Sequence, residues 1–425
     1  MTDRLVGAHS VDARPIPRTR RCSAGVDPER NHTHPSLTPE SSQGSGRRRQ
    51  VPTLHAGSNA AGPDRPCTGM WCCIQSQYMS AFDRLTERQP LLDGPARQHY
   101  VSRFYLKGFA QNRLVSVYDR TTGVVDALTP KNAAAIEHLY TFIDESDRRR
   151  FEIEALFGIV ESRAGTALRS AVSRASLSFE DREYLALFVA MHAIRTPAAL
   201  AESLSVREKA EQAGLKLIVS SERAAYKLIE ESRHADTSEA ELRRLAKKLH
   251  EMVSGDHFCI NVPDEVARAD ALKTWDTVAR TLFERDWTVV HAPGGSEYIT
   301  SDSPVVLSPL SGTEHLPLGY GSLHTHVLFP LSRTAALVMN GDEGRMRHAD
   351  VRPEQVERFN SAVAADCYRY VIGSNADLLH KTTAPLNLTG TRWTPRVDVG
   401  IGIPPGKELP AVFIKGLSKR PTVPI

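Results

Sequence analysis

The hydrophobic period of this chain changes twice, and that limits the fold more than any other feature. From Arg150 onward, Phe151, Leu156, Ile159/Val160, Ala164, Ala167/Leu168 and Val172 recur on one helical face. Helical patterning then continues to Glu284. On either side the apolar residues fall into short strand-like runs. Before it stand Leu114–Tyr118, a turn at Asp119–Gly123, a return beginning at Val124-Val125, and Leu139–Ile143. After it stand Trp287–His291, Tyr298–Leu307, His326–Phe329, Ala335–Met339 and Tyr368–Ile372. Strands at both ends and helices between them predict an α+β fold. The economical topology is one mixed or antiparallel sheet, built from the N-terminal hairpin and the C-terminal strands. The helices of about 150–284 then form a long insertion packed on it.

Local signals mark several boundaries. Ser178-Phe-Glu-Asp181 has the spacing of a capping box. The helix it opens, Arg182 to Ile194, is apolar nearly all round and is expected to be buried, with Thr196-Pro197 ending it. His192 and Arg195 fall at its C-terminal end, where cations meet the negative end of the helix dipole. Helices are expected over Ala198–Ser232, Ser238–Val253, Pro263–Glu284 and Pro353–Asp366, with Glu and Lys/Arg neighbours three and four apart. Gln98–Phe109 has roughly helical spacing that Gly108 ends, and Lys131–Ile136 reads as a brief helix. Beyond Asn375 the chain reads as loop or tail, so 374–425 is expected to be irregular. Residues 1–90 are rich in Pro, Gly, Ser and Arg and lack either period. They read as a disordered arm or, with Met79 as the natural start, as a mis-annotated upstream extension.

Composition narrows the function classes. The net charge is +3 over 425 residues, and residues 1–78 alone carry ten Arg, no Lys and six Asp/Glu. The body therefore lacks the basic excess of a dedicated nucleic-acid binder. The longest apolar run, Tyr184–Met191, is far short of the ~18 residues that span a bilayer. Of six cysteines, only Cys259 and Cys367 lie in the body, so no disulfide framework is expected and a reduced, cytoplasmic setting is. No P-loop, dinucleotide fingerprint or nucleophile elbow is present, and no cofactor is indicated.

The stretch Tyr298-Ile-Thr-Ser-Asp-Ser-Pro-Val-Val-Leu307 places a polar turn between two apolar strands. Ser301, Asp302 and Ser303 suit such a turn because their short side chains bond neighbouring backbone groups, and Pro304 fixes φ. These residues, together with Gln98-His99-Tyr100-Val101, Phe104-Tyr105-Leu106, Val117-Tyr-Asp-Arg120, Glu154…Glu161, Arg195-Thr-Pro197, Phe329-Pro-Leu-Ser332, Asn360 and Arg369-Tyr-Val371, resemble a bacterial family catalogued as domain of unknown function 4238. The resemblance runs in order over roughly 97–373, implying a single α+β domain there. It departs at Ser102, where the family usually has Pro, and at Ser303, where it typically has Asn. It implies no activity.

The polar residues that coincide with the family pattern are His99, Glu154, Glu161, Arg195, Asp302 and, less strictly, Ser301. Gathered at one site, they suit acid–base chemistry, with His99 as base and Arg195 holding a phosphate or carboxylate. On that reading the chain is a hydrolase-like enzyme acting on a phosphate-containing or nucleotide substrate. The competing reading pairs Arg195 with the glutamates as a structural salt bridge, and makes the chain a non-catalytic binding or interaction protein that uses its helical insertion. His324-Thr-His326 places two imidazoles two residues apart, which on a strand is one face, a spacing compatible with a metal.

Overall fold

The computed structural model describes residues 91–231, 237–390, 397–402, 407 and 410–416. The segment read as a disordered arm lies outside them. β1 (Arg97–His99) leads through a short helix, α1 (Arg103–Leu106), to the hairpin β2 (Val115–Asp119) and β3 (Val124–Leu128). β4 (Ala135–Glu137) returns to pair with β1, and β5 (Phe142–Ile143) pairs with β6 (Arg149–Arg150). Seven helices follow: α2 (Glu152–Val172), α3 (Phe179–Ile194), α4 (Pro197–Ile218), α5 (Glu222–Glu231), α6 (Glu239–Ser254), α7 (Asp264–Lys273) and α8 (Trp275–Glu284). Strands then resume as β7 (Asp286–His291), β8 (Thr300–Ser301), β9 (Val306–Pro309), β10 (Thr325–Ser332), β11 (Ala335–Asn340) and β12 (Met346–Asp350). The described chain ends with α9 (Pro353–Asp366), β13 (Tyr370–Gly373), α10 (Ala376–Thr383) and a hairpin of β14 (Val397–Gly402) and β15 (Ala411–Gly416).

The architecture is α+β. Its strands divide into two main sheets rather than one. A five-stranded sheet has the order β12-β7-β11-β10-β9, and a four-stranded sheet the order β3-β2-β13-β8. The N-terminal hairpin does reach C-terminal strands: β2 pairs antiparallel with β13, and β13 with β8. The division falls at the turn Asp302–Val305, because β8 belongs to one sheet and β9 to the other. A polar turn with Pro304 breaks the run of backbone bonds that would have kept both strands in one ladder.

Both faces of the five-stranded sheet are covered. Along β10, Val327, Phe329 and Leu331 join the core cluster shared with α2, α3 and α8, whereas Leu328 joins the cluster around α9. β11 divides the same way, with Leu337 and Met339 on one side and Ala336 on the other. Two buried faces explain why these strands read as continuous apolar runs instead of alternating ones. α3 is enclosed nearly all round, as its sequence requires. Its capping box forms in full: the Ser178 hydroxyl accepts from the Asp181 N–H while the Asp181 carboxylate accepts from the Ser178 N–H.

Several local expectations change. Lys131–Ile136 is not helical, since β4 is drawn out by pairing with β1. Ala198–Ser232 breaks into α4 and α5, and Pro263–Glu284 into α7 and α8. β12 carries Arg347, His348 and Asp350 on a sheet edge and has no apolar alternation to reveal it. The region beyond Asn375 holds α10 and the β14–β15 hairpin. Among the described cysteines Cys367 is a free buried thiol and Cys259 is disulfide-bonded, which departs from the reduced body expected.

Candidate functional site

Glu154, Phe157 and Glu161 recur at i, i+3 and i+7 on α2 and therefore share one stripe, the two carboxylates roughly 10 Å apart along the axis. That stripe faces the C-terminus of α3. The Arg195 guanidinium, 1% exposed, lies 5.1 Å from the centroid of the Phe157 ring. Tyr140 packs edge-to-face with Phe157 and donates its hydroxyl to the Arg195 carbonyl, one of the acceptors left free at a helix end.

Hydrogen bonds from Nε and Nη2 hold the arginine. Nε donates to the Tyr100 carbonyl at 3.1 Å, and Nη2 donates to Ser102 Oγ at 2.5 Å and Glu161 Oε1 at 2.9 Å. Ser102 in turn donates its hydroxyl to Glu161 Oε1 at 2.6 Å. His192 completes the set. Its Nδ1 lies 2.9 Å from the Phe188 carbonyl, and because a carbonyl only accepts, Nδ1 carries the proton. Nε2 keeps its lone pair and accepts the Ser102 N–H at 3.2 Å. Burial, helped by Arg195, holds this imidazole well below its ordinary pKa, so it stays neutral. The sequence places His192 on the last turn of its helix, and tertiary packing makes it an acceptor.

Two groups beside this network retain unused capacity. Glu154 lies in the first turn of α2, where the helix dipole favours a carboxylate by ~0.3–1 kcal/mol. Burial outweighs that and raises its pKa to about 7, with Glu161 adding to the shift and Arg195 opposing it. Glu154 Oε2 is buried without a hydrogen-bond partner. His99, at the end of β1, is half-buried. Its Nε2 donates to the Lys131 carbonyl at 3.1 Å, which leaves the lone pair on Nδ1. Burial chiefly, and also Arg195 and Arg97, lower its pKa against the pull of the Lys131 carbonyl and Glu161. Exposed Arg97 thus acts on it directly, while Lys131 reaches it through the backbone carbonyl.

The structure therefore brings His99, Glu154, Glu161 and Arg195 into one electrostatic neighbourhood. Asp302 stands outside that hydrogen-bond network. At the turn after β8, its Oδ1 accepts the Tyr368 N–H at 2.8 Å, and its Oδ2 accepts those of Arg369 and Tyr370 at 2.7 and 2.9 Å. Burial raises its pKa to about 6, opposed by those three donors and by Arg120. Its link to the Arg195 cluster is Tyr100, whose carbonyl serves Arg195 and whose phenol is pushed well up by burial and by Asp302. Ser301 Oγ accepts the Ser303 N–H within the turn.

Sequence reasoning missed three members of the cluster: Ser102, Tyr140 and the acceptor role of His192. Only Ser102 left a trace, as a departure from the family's usual Pro. The histidine pair at 324 and 326 does not converge. His324 donates to the Pro317 carbonyl, while His326 Nδ1 faces the Asn340 amide. Among the described residues, no group of three or more His, Cys, Asp or Glu is arranged to hold a metal ion. No single described helix is long and apolar enough to cross a membrane.

These features define an α+β protein in which an arginine–serine–glutamate network adjoins a half-buried carboxyl whose pKa is raised to about 7 and a neutral imidazole. The family profile that matches residues 97–377, about two thirds of the chain, is described as "Protein of unknown function (DUF4238)", and the chain belongs to that family. No curated protein and no solved structure matches it.

Proposed function

We propose that this chain is a hydrolase-like enzyme using acid–base chemistry at Glu154 and His99 on a phosphate-containing or nucleotide substrate. The observation that carries the proposal is half-buried Glu154, whose Oε2 is buried without a hydrogen-bond partner and whose pKa is raised to about 7. A group so tuned both gives and takes a proton at neutral pH, and separated environments for neighbouring titratable groups are how acid and base are assigned. In this reading His99 Nδ1 accepts the proton of an attacking water, and protonated Glu154 delivers one to the leaving oxygen. Glu161, with a side chain 25% exposed, is held in place by Arg195 and Ser102.

Nε and Nη2 of Arg195 are taken up by Tyr100, Ser102 and Glu161, so in this reading Arg195 positions Glu161 rather than holding the anion first expected. Exposed Arg97 beside His99 takes the role of attracting a phosphate. Asp302 is assigned to structure, because its carboxylate is spent on backbone donors. The test is hydrolysis of a chromogenic phosphodiester and of a nucleotide panel by the full chain. Glu154→Gln is expected to lower turnover about 100-fold or more and to abolish the loss of activity above pH ~7. Wild-type protein that neither turns over nor is thermally stabilised by any of these compounds overturns the proposal.

The binding-protein reading keeps one observation in its favour. α5 and α6 share a small core of their own, with Ala225, Ala246 and Val253 beside Val219, and leave Leu245 and Met252 partly exposed. Thermal stabilisation by a protein partner that is lost in Leu245→Asp, with no turnover of any compound, is the result that favours it.

A further inference from the structure

The α2 side of the five-stranded sheet carries a second cluster of titratable groups, away from the one above. His291 ends β7 and His348 lies on the neighbouring edge strand β12, with Nε2 of the first 3.1 Å from Nδ1 of the second. β7 and β12 run parallel with Asp350 opposite His291 and His348 opposite Val289. Side chains two apart on a strand, and register partners across a ladder, project to one face. His291, His348 and Asp350 therefore project to the same side as buried Val289. Arg174, just past the C-terminus of α2, reaches across to pair with Asp350. Arg174 acts on both histidines, and Asp350 and His348 act on His291.

We propose that His291 and His348 form a two-imidazole chelate for a borderline divalent cation, zinc above all, with Asp350 as a third ligand once it leaves Arg174. Two nitrogen ligands of tetrahedral zinc, each at ~2.0–2.1 Å, stand roughly 3.3–3.4 Å apart, so the pair needs only a small opening to admit the ion. The hydrogen now lying between the rings moves to the far nitrogen of the ring that carries it. Both imidazoles stay neutral and no proton is released. Burial, with Arg174 next, holds both below their ordinary pKa, so both lone pairs are present at neutral pH. No preformed third ligand stands in place, and Arg174 competes for Asp350 with a charge that repels the ion. The site is therefore predicted to be weaker than a structural zinc centre and to keep positions open to water.

The experiment is calorimetric titration of the full chain with zinc chloride near pH 7.5. His348→Asn is the principal variant because His348 is half-exposed on an edge strand, whereas His291 is buried. It is expected to lose one equivalent of zinc or to bind it at least about tenfold more weakly, with an unchanged circular dichroism spectrum. Arg174→Gln is expected to tighten binding severalfold. His324→Asn and His326→Asn should leave it unchanged. Equal uptake by wild type and His348→Asn overturns the proposal, as does a wild type showing no saturable uptake up to about 1 mM zinc.

Discussion

Arg195 and Asp302 are both fully buried charged groups, and they are held in opposite ways. Asp302 accepts only backbone N–H groups, from three consecutive residues at the start of β13. Arg195 is held mainly by side chains, Ser102 and Glu161, drawn from segments far apart in sequence. A backbone-bound carboxylate fixes where two strands meet and leaves nothing over. A side-chain network leaves its outer members adjustable, and beside it sit Glu154 with a free oxygen and His99 with a free lone pair. Burial of a charge is thus no sign of chemistry in itself; the nature of the partners separates anchor from site.

Substitution of Arg195 and of Asp302 separates the two buried groups most directly. Arg195→Ala leaves Glu161, Ser102 and the Tyr100 carbonyl without their donor, and should cost about 3–5 kcal/mol in urea denaturation. Asp302→Ala orphans three backbone donors at ~1–3 kcal/mol each, partly relieved by water, and should cost about 3–4 kcal/mol. If Asp302 is an anchor alone, its variant loses stability at every pH and leaves the titration of Glu154 untouched, as read by carbon-13 NMR of the carboxyl.

Glu154→Gln tests the other side. A carboxyl raised from 4.5 to about 7 in the folded state binds its proton more tightly there than in the unfolded chain. Its stabilising contribution is complete below pH 4.5 and is lost as pH rises through 7. Glutamine does not titrate, so Glu154→Gln should gain on wild type by up to about 2–3 kcal/mol between pH 5 and 8. A stability difference that does not vary with pH removes Glu154 from the proposed chemistry.

The smallest effect is expected from Ser102→Pro. Ser102 has φ −55° and ψ 130°, which proline accepts without strain. The change removes the N–H given to His192 and the hydroxyl given to Glu161, offset by reduced freedom of the unfolded chain. A net loss of about 1–2 kcal/mol is expected by thermal melting. No loss at all means the serine bonds are incidental.

What the sequence determined by itself was whatever a period or a short-range signal encodes. The capping box at Ser178, the enveloped helix up to Ile194, the hairpin from Leu114 through Val124-Val125 and the helical insertion between two groups of strands were all legible in this way. So was the placing of Arg195 at a helix end. The tertiary structure alone decided the rest, because pairing and desolvation depend on residues distant in the chain. It drew Ala135–Glu137 into a strand against β1, and it formed β12 from polar residues along a sheet edge. It divided the strands at the Asp302 turn and turned that aspartate toward the backbone of Tyr368–Tyr370. It also desolvated the Glu154 carboxyl near Tyr140, and that burial rather than sequence position raises its pKa to about 7.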